Sequence, residues 1–467
     1  MARITKPRAS KSQEQPRIYV LDTCVLLHEP NALFKFKEHE IYIPLAVIDE
    51  LDDIKTRKES VGWAAREVFR LLDGYTLGDL TTTGVEVTPE HGKLFVYAAE
   101  TLEKSMHVRV NPDNGIIEAA RQLKAKYPER DVIVVSKDTG LRVRAEASGV
   151  TAQNYRSDLI DEERIFSGVR AVEVTSVSDW QVITSTLEIE LKKLSSELMN
   201  ELGTIWPNEF IIFEFGDRKY PTRMKKDVLI ALDKLNAKKK PVYRGIHAKN
   251  LEQQLALEVL NDDSISLVAL SGAAGTGKTM LALAVGLHKI DDGYYDRIIV
   301  IKPLVPVGGK DIGALPGDKF DKIAAWLGPM RDNIEQLVVE QGVDSKSAQG
   351  SFEEMVNEGL IEVEAMAFIQ GRSIPNSIII VDEAQNLSPR ECRMVVERCG
   401  KNSKIILLGD PSQVENPFLD KRSCGLVHAV QGSKEYDLCA AVTLTKVERS
   451  PLAAVASLIF KQPEAQR

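Results

Sequence analysis

The sequence is poor in cysteine and histidine, and neither is arranged for a structural role. Its five cysteines, Cys24, Cys392, Cys399, Cys424 and Cys439, are odd in number and form no CxxC pair. That argues against a disulfide framework and fits reduced thiols in a cytosolic protein. The seven histidines include no HExxH and no paired Cys/His spacing, so no structural zinc site is expected. No apolar run approaches the ~18 residues of a membrane span. Residues 1–17, MARITKPRASKSQEQPR, are basic and polar and lack an apolar segment. They read as a disordered arm (1–16), not a secretory signal. A global basic excess is also missing: the net charge is −8, so a nucleic-acid partner has to be met by local patches. There are no internal repeats. A cytoplasmic location is expected.

What is present is 467 residues, 43% of them hydrophobic, enough for two to four domains. Three regions emerge. In residues 17–156, RIYVLD, HEIYIPLAVIDELDDIK, NGIIEAARQLKAKY and DVIVVSKD alternate strand and helix patterns, which predicts a parallel α/β sheet. Residues 160–240 read as a small β-rich module: AVEVTSV and FIIFEFGDRKYPTRM alternate like strands, and LEIELKKLSSELMNEL (187–202) has the spacing of an amphipathic helix. The basic stretch NAKKKPVYRG closes it as a linker. Residues 246–462 return to strand–helix alternation with SISLVAL, RIIVIKP, SIIIVDEA and KIILLGD, an α/β sheet whose strands end beside glycine, lysine or acid. Ligands of open α/β sheets bind outside those carboxyl ends.

Between the strand SISLVAL and the helix former MLALAVGLHKI lies GAAGTGKT, comprising Gly272, Ala273, Ala274, Gly275, Thr276, Gly277, Lys278 and Thr279. It matches GxxxxGK[ST] in its required strand–turn–helix setting. Backbone N–H groups and a helix N-terminus there cradle phosphates. Lys278 supplies charge for the β/γ-phosphates, and Thr279 a hydroxyl for Mg²⁺. Glycines fit where side chains would block phosphate. In SIIIVDEAQN, a buried strand delivers Asp382 to hold Mg²⁺ through water and Glu383 to orient an attacking water. In KIILLGDPSQ, Gln413 is placed to sense the γ-phosphate, although Asp-Pro-Ser is also ordinary turn chemistry. Arg449 in KVERSP is a candidate finger toward phosphate in its own or a neighbouring subunit. Gln253 in NLEQQLA is a candidate adenine reader.

GAAGTGKT, DEAQN and GDPSQ, in this order, resemble a PhoH-like ATPase, a relative of superfamily 1 helicases, over residues 246 to about 460. IKPLVPVGGKDIGALPGD (301–318) and GRS (371–373) are similar to the same family. The resemblance implies a RecA-like P-loop domain using ATP and Mg²⁺, with Lys302, Lys310 and Arg372 as candidate RNA-backbone contacts. Because only one RecA-like core is present, it also implies ring assembly as a homo-hexamer.

The first region carries acids after strands. Asp22 and Asp138 follow strands of one sheet, so their carboxylates gather at one edge, and Glu50 and Asp113 are candidates to join them. Clustered carboxylates raise one another's pKa unless a cation neutralises them. Mg²⁺ or Mn²⁺ fits such oxygen ligands and can activate water. Asp49, Asp52 and Asp53 read as a solvated helix face. VLDTCVLLHEP, IPLAVIDELD, PDNGII and VVSKDTGLRVRA resemble a PIN-domain ribonuclease over residues 17–156. The four acids map onto its acidic set, and Thr23 and Ser136 onto its small hydroxyl positions. Arg142 and Arg144 are candidates for RNA phosphate contact. The chain as a whole resembles the bacterial PIN–PhoH fusion proteins. It is expected to be an ATP- and Mg²⁺-dependent RNA-remodelling enzyme with RNA cleavage. An ATP-regulated binding switch with an idle PIN domain and a DNA-directed motor are the alternatives.

Overall fold

β-Branched runs form the central strands, and glycines or acids punctuate their ends. The structure, a computed structural model, describes residues 16–56, 60–99, 112–155, 165–232, 242–303, 328–369, 371–416 and 419–448. The chain divides into two units, Met1–Asp158 and Leu159–Arg467.

In the first unit, β1 (Ile18–Leu21), β2 (Glu40–Pro44), β3 (Val85–Glu86), β4 (Lys93–Tyr97), β5 (Val132–Val135) and β6 (Thr151–Gln153) form one sheet in the order β3-β4-β2-β1-β5-β6. All pairs are parallel except β3 with β4. β1 and β5 are buried along their whole length, as strands covered by helices on both faces must be. The helices Leu45–Ile54, Pro112–Lys126 and Thr139–Ala147 put Leu51, Ile116, Leu123 and Leu141 into that core. Register is the functional point: Leu21 pairs with Val135, so the residues after β1 and β5 emerge side by side.

The second unit holds two sheets. β7 (Val169–Glu173), β8 (Glu188–Glu190), β9 (Phe210–Phe215), β10 (Arg218–Lys225) and β11 (Val228–Ala231) order as β7-β9-β10-β11-β8. All these pairs are antiparallel except β7 with β9. The helix expected over 187–202 is mostly something else. Ile189 is buried and pairs with Leu229 in the sheet, Leu191–Lys193 is a 3₁₀ turn, and only Ser196–Leu202 is α-helical. Tertiary pairing overrides helical spacing here. Ser195 starts the helix by accepting from Leu198 N at 3.2 Å, a role serine fills better than a helix interior.

The other sheet is parallel throughout. β12 (Leu267–Gly272), β13 (Arg297–Ile301), β14 (Ile361–Glu364), β15 (Ser377–Val381), β16 (Lys404–Gly409) and β17 (Cys439–Leu444) order as β14-β13-β15-β16-β12-β17. Its strands are nearly all apolar, and the helices Leu251–Asn261 and Lys278–Asp291 cover one face.

The two sheets are joined by specific bonds. Asn208 Nδ2 donates to Asp437 O and Cys439 O, both at 2.8 Å, and Thr443 N donates to Ser167 O at 3.0 Å. A Cβ on Gly168 would stand 1.7 Å from Ala441 O, so no larger residue fits. From β10, the guanidinium of Arg223 is fully buried. It lies 2.9 Å from Asp262 and 3.2 Å from Glu258, and its Nη2 donates to Asn208 Oδ1 at 2.6 Å. Lys225 reaches Asp262 at 2.8 Å. From β16, buried Lys404 Nζ donates to Leu260 O at 2.6 Å and Asp262 O at 2.8 Å, satisfying the orphan carbonyls at the end of the helix Leu251–Asn261. Burial pushes the Lys404 ammonium down to about 7, against the pull of Asp263 and Asp262. No helix of the described residues is long and apolar enough to cross a membrane.

Candidate active sites

The nucleotide candidate sits at the carboxyl edge of the parallel sheet. The four strands β12, β13, β15 and β16 deliver the phosphate loop, Lys302, Asp382 and Asp410 to one cleft of about 370 Å³. That is within the range of small-molecule sites. The glycines of the loop have separate reasons. Gly272 has φ +147°, and a Cβ there would stand 2.0 Å from Leu444 O, so β17 excludes a side chain at this position. Gly277 has φ +93° and precedes the helix Lys278–Asp291, whose N-terminus opens on the cleft. A left-handed conformation is cheap only for glycine. Phosphate room is therefore not the sole reason for these residues.

Lys278 Nζ donates to Gly272 O at 2.6 Å and Ala273 O at 3.0 Å, folded over its own loop. Thr279 Oγ1 stands 3.5 Å from Asp382 Oδ1. Burial pushes the Asp382 carboxyl up and Glu383 adds to that, while Lys302 and Lys278 pull it back. The donor set is thus a hydroxyl beside a buried carboxylate that cations stabilise, which fits Mg²⁺ held with a nucleotide. Lys302, expected at RNA, lines this cleft beside Asp382.

Glu383 has φ +57°, rare for a residue with a side chain, and it turns the chain sharply out of β15. Gln385, buried to 1% exposure, holds that turn. Its Nε2 donates to Glu383 Oε2 at 2.7 Å and to Gln413 O at 3.2 Å, and its Oε1 accepts from Asp410 N at 3.1 Å. One amide thus ties DEAQN to GDPSQ. Gln385 stands inside DEAQN, but nothing local marks it as a site residue, because two of its partners, Gln413 O and Asp410 N, lie beyond another strand. Gln413 lines the cleft.

Gln253 also lines the cleft, but its amide is committed to backbone. Oε1 accepts from Lys249 N at 2.9 Å and Nε2 donates to Thr276 O at 3.0 Å. It braces the phosphate loop. Glu252, next to it, accepts from Thr445 N at 2.7 Å and Lys446 N at 3.0 Å, and Glu448 N donates to Gly275 O at 2.9 Å. The segment leading to Arg449 is therefore bound to the loop. Arg449 and Lys310 lie outside the described residues. Arg372 is half-exposed, 3.5 Å from Glu364.

The acidic candidate is the carboxyl edge of β1 and β5. Asp22 is buried, and its Oδ2 accepts from Ser136 Oγ at 2.5 Å and Cys24 Sγ at 2.7 Å. Glu50 Oε2 accepts from Thr23 Oγ1 at 2.6 Å. The two small hydroxyls thus orient two acids. Burial pushes the Asp22 carboxyl up, and Asp113 adds to it. Burial also raises Glu50, with Asp22, Asp113 and Asp53 contributing. Asp22, Glu50 and Asp113 are brought into one another's field. Asp138 is exposed and caps the helix Thr139–Ala147, accepting from Gly140 N at 2.7 Å.

Three acids do not close on one point: among the described residues no group of three His, Cys, Asp or Glu stands close enough to grip an ion. Mg²⁺ keeps several waters and binds through one or two carboxylates, so oxygen-only ligands at one sheet edge fit it without such a cage. The two arginines of this edge have partners within the unit. Arg144 pairs with Asp113, and Arg142 Nη1 donates to Ser136 O at 2.8 Å. Asp49, Asp52 and Asp53 are exposed, with Asp52 paired to Lys55.

A family model described as PhoH-like protein matches residues 245–461, and one described as PIN domain matches residues 19–156. Among curated proteins, the chain is 36% identical to protein PhoH2 of Bacillus subtilis over 460 residues, covering 94% of this chain and 99% of that one. It is 31% identical to protein PhoH2 of Thermobispora bispora (96% and 97% covered) and 31% identical to that of Mycolicibacterium smegmatis (97% and 98% covered).

Proposed function

Because the chain belongs to the PhoH2 family of PIN–PhoH fusion proteins, we propose that it is an RNA-remodelling enzyme in which ATP hydrolysis feeds structured RNA to a nuclease site. The observation that carries the ATPase reading is the convergence of Lys278, Thr279, Asp382, Glu383 and Gln413 on one cleft. Lys278 swings from its loop carbonyls to the β/γ-phosphates. Thr279, and Asp382 through water, would hold Mg²⁺, which would supply neutralisation of charge developing on the phosphates. Glu383, fixed by Gln385, orients the attacking water, and Gln413 reports the γ-phosphate to β16. Arg449 follows a segment bonded to the loop and acts on the same phosphate. A homo-hexameric ring lets a neighbour supply that guanidinium.

In the PIN unit, the acidic edge of Asp22, Glu50, Asp113 and Asp138 would hold a hydrated Mg²⁺ or Mn²⁺ through one or two carboxylates at a time, and the ion would supply activation of water and stabilisation of the leaving oxygen. Ser136 and Thr23 keep Asp22 and Glu50 turned toward the shared edge. The pairing of Asp113 with Arg144 favours one alternative, a PIN unit that binds RNA without cutting it while ATP sets the affinity.

The test uses a tailed RNA hairpin and a short unstructured RNA. Base-pair stacking costs on the order of 1.4 kcal/mol per step in DNA, with RNA similar, so a stem of about eight pairs opens too rarely to be cut unaided. ATP is expected to accelerate cleavage in the stem and to leave the unstructured RNA nearly unaffected. Equal acceleration of both contradicts remodelling. ATP-dependent binding without cleavage supports the switch, and stimulation by DNA alone supports a DNA motor.

A further inference from the structure

Asp410 follows β16 at the same edge as Asp382, and it is not absorbed by the roles above. It is 7% exposed and lines the nucleotide cleft. Its two oxygens differ. Oδ1 accepts from Ser412 N at 2.9 Å and Ser412 Oγ at 2.6 Å, closing the Asp-Pro-Ser turn. Oδ2 is buried with no hydrogen-bond partner among the described residues. A carboxylate oxygen removed from water and left unmatched is expensive, so the turn holds an acceptor in readiness for something that arrives.

The arriving group must be a donor. Phosphate oxygens only accept, and their charge repels a carboxylate. Position narrows the choice further. The same Gln385 amide that accepts from Asp410 N donates to Glu383 Oε2. That places Asp410 on the hydrolytic side of the cleft, with the purine end of a nucleotide not within that side's reach. The side-chain donors lining the cleft have other neighbours, Lys278 on its loop carbonyls and Thr279 and Lys302 beside Asp382, so the donors left for Oδ2 are waters. Glu383 is the acceptor for the attacking one, which leaves the waters carried by the cation beside Asp382. We propose that Asp410 Oδ2 is a positioning acceptor for the hydration shell of the nucleotide's Mg²⁺, so that two neighbouring strand ends, those of Asp382 and Asp410, would share the metal's waters. The proposal rests on the reading of the cleft as a Mg–ATP site.

The direct test compares Asp410→Asn with the native full-length protein, reading the affinity for a fluorescent ATP analogue with and without Mg²⁺. Asparagine keeps an oxygen for Ser412 and replaces the orphan acceptor with a donor. Loss of a hydrogen bond to a charged group is expected to weaken Mg-dependent binding about tenfold to a hundredfold. Metal-free binding should stay level or tighten, because a negative charge near the phosphates is gone. Ser412→Ala separates turn from site: it removes the Oγ bond to Oδ1 and leaves Oδ2, so the Mg²⁺ dependence should match the native protein. If Asp410→Asn lowers turnover but leaves the Mg²⁺ dependence of binding unchanged, the acceptor serves the attacking water and the proposal falls. Equal loss with and without metal, shared by Ser412→Ala, likewise overturns it in favour of a structural turn. Failure of the native protein itself to bind the analogue, with Lys278→Ala indistinguishable from it, would reject the nucleotide reading instead.

Discussion

Arg223 offers a severe test of how the two sheets of the second unit are held together. Its guanidinium is fully buried between Glu258 and Asp262, at 3.2 and 2.9 Å. At an effective dielectric constant near 20, a unit pair at about 3 Å attracts by roughly 5–6 kcal/mol before desolvation is subtracted. Arg223→Met keeps much of the side-chain volume and removes the charge. Glu258 and Asp262 then face each other, with Lys225 and Lys404 still beside Asp262. Removing one member of a buried pair costs about 3–5 kcal/mol.

The loss should depend on pH in a fixed direction. Burial already pushes the Glu258 carboxyl up, and Arg223 pulls it back. In the variant it rises further. A raised folded pKa means stability that is present at low pH and lost as pH rises through that value. The penalty of Arg223→Met should therefore be smaller near pH 5 than near pH 8. Amide hydrogen exchange in β10 and in the helix Leu251–Asn261 reads the local opening free energy directly. About 3–5 kcal/mol corresponds to roughly a hundredfold to several-thousandfold faster exchange. Adding Glu258→Gln should recover part of the loss, since contacting residues are non-additive. A penalty below about 1 kcal/mol, or one that does not change with pH, would refute the claim that this network holds the sheet.

Lys278→Ala should lose nucleotide binding, and Glu383→Gln should bind ATP yet hydrolyse it at least about 10²-fold more slowly, read by pairing an affinity titration with turnover. Arg449→Ala should lower turnover by about 10³ or more with little loss of affinity; mixing it with Lys278→Ala should restore some activity if sites form between subunits. In the PIN unit, Asp22→Asn should abolish RNA cleavage and leave the ATPase intact. Because burial and Asp113 raise Asp22, the stability lost by the native chelated protein as pH rises through that raised value is not lost by the asparagine variant. Its melting advantage should therefore grow as pH rises above the ordinary aspartate value of about 3.9 and shrink when Mg²⁺ is added; an advantage that falls with pH contradicts the acidic-edge reading.

The parts of the sites that sequence made legible are those carried by contiguous residues. GAAGTGKT, DEAQN and GDPSQ each sit at one strand end, so a strand pattern and a polar tail sufficed to place Lys278, Asp382 and Gln413 in one cleft. Asp22 was legible for the same reason. The rest depends on partners remote in the chain. Thr23 orients Glu50 across 27 residues, Gln385 meets Asp410 across 25, and Gln253 meets Thr276 across 23. No local pattern encodes those pairings. Gly272 has a second constraint that no local pattern shows, since a Cβ there would meet the carbonyl of Leu444. Ile189 was read with helical spacing, yet what decides its state is Leu229 on the adjacent strand.

The helix Leu251–Asn261 has eleven residues with neither glycine nor proline, and so spans about 16 Å as an unjointed rod. Its first turn is fastened to Thr276 and Thr445 through Gln253 and Glu252. Its far end is fastened to Arg223 and Lys404. Nothing along it can absorb a displacement by bending. A genetic screen that selects for failed ATP turnover should therefore return lesions in β10 and at the Lys404 end of β16, alongside those in the loop. Suppressors of a loop defect should appear there too, because a shift at either end of a rigid rod is delivered to the other.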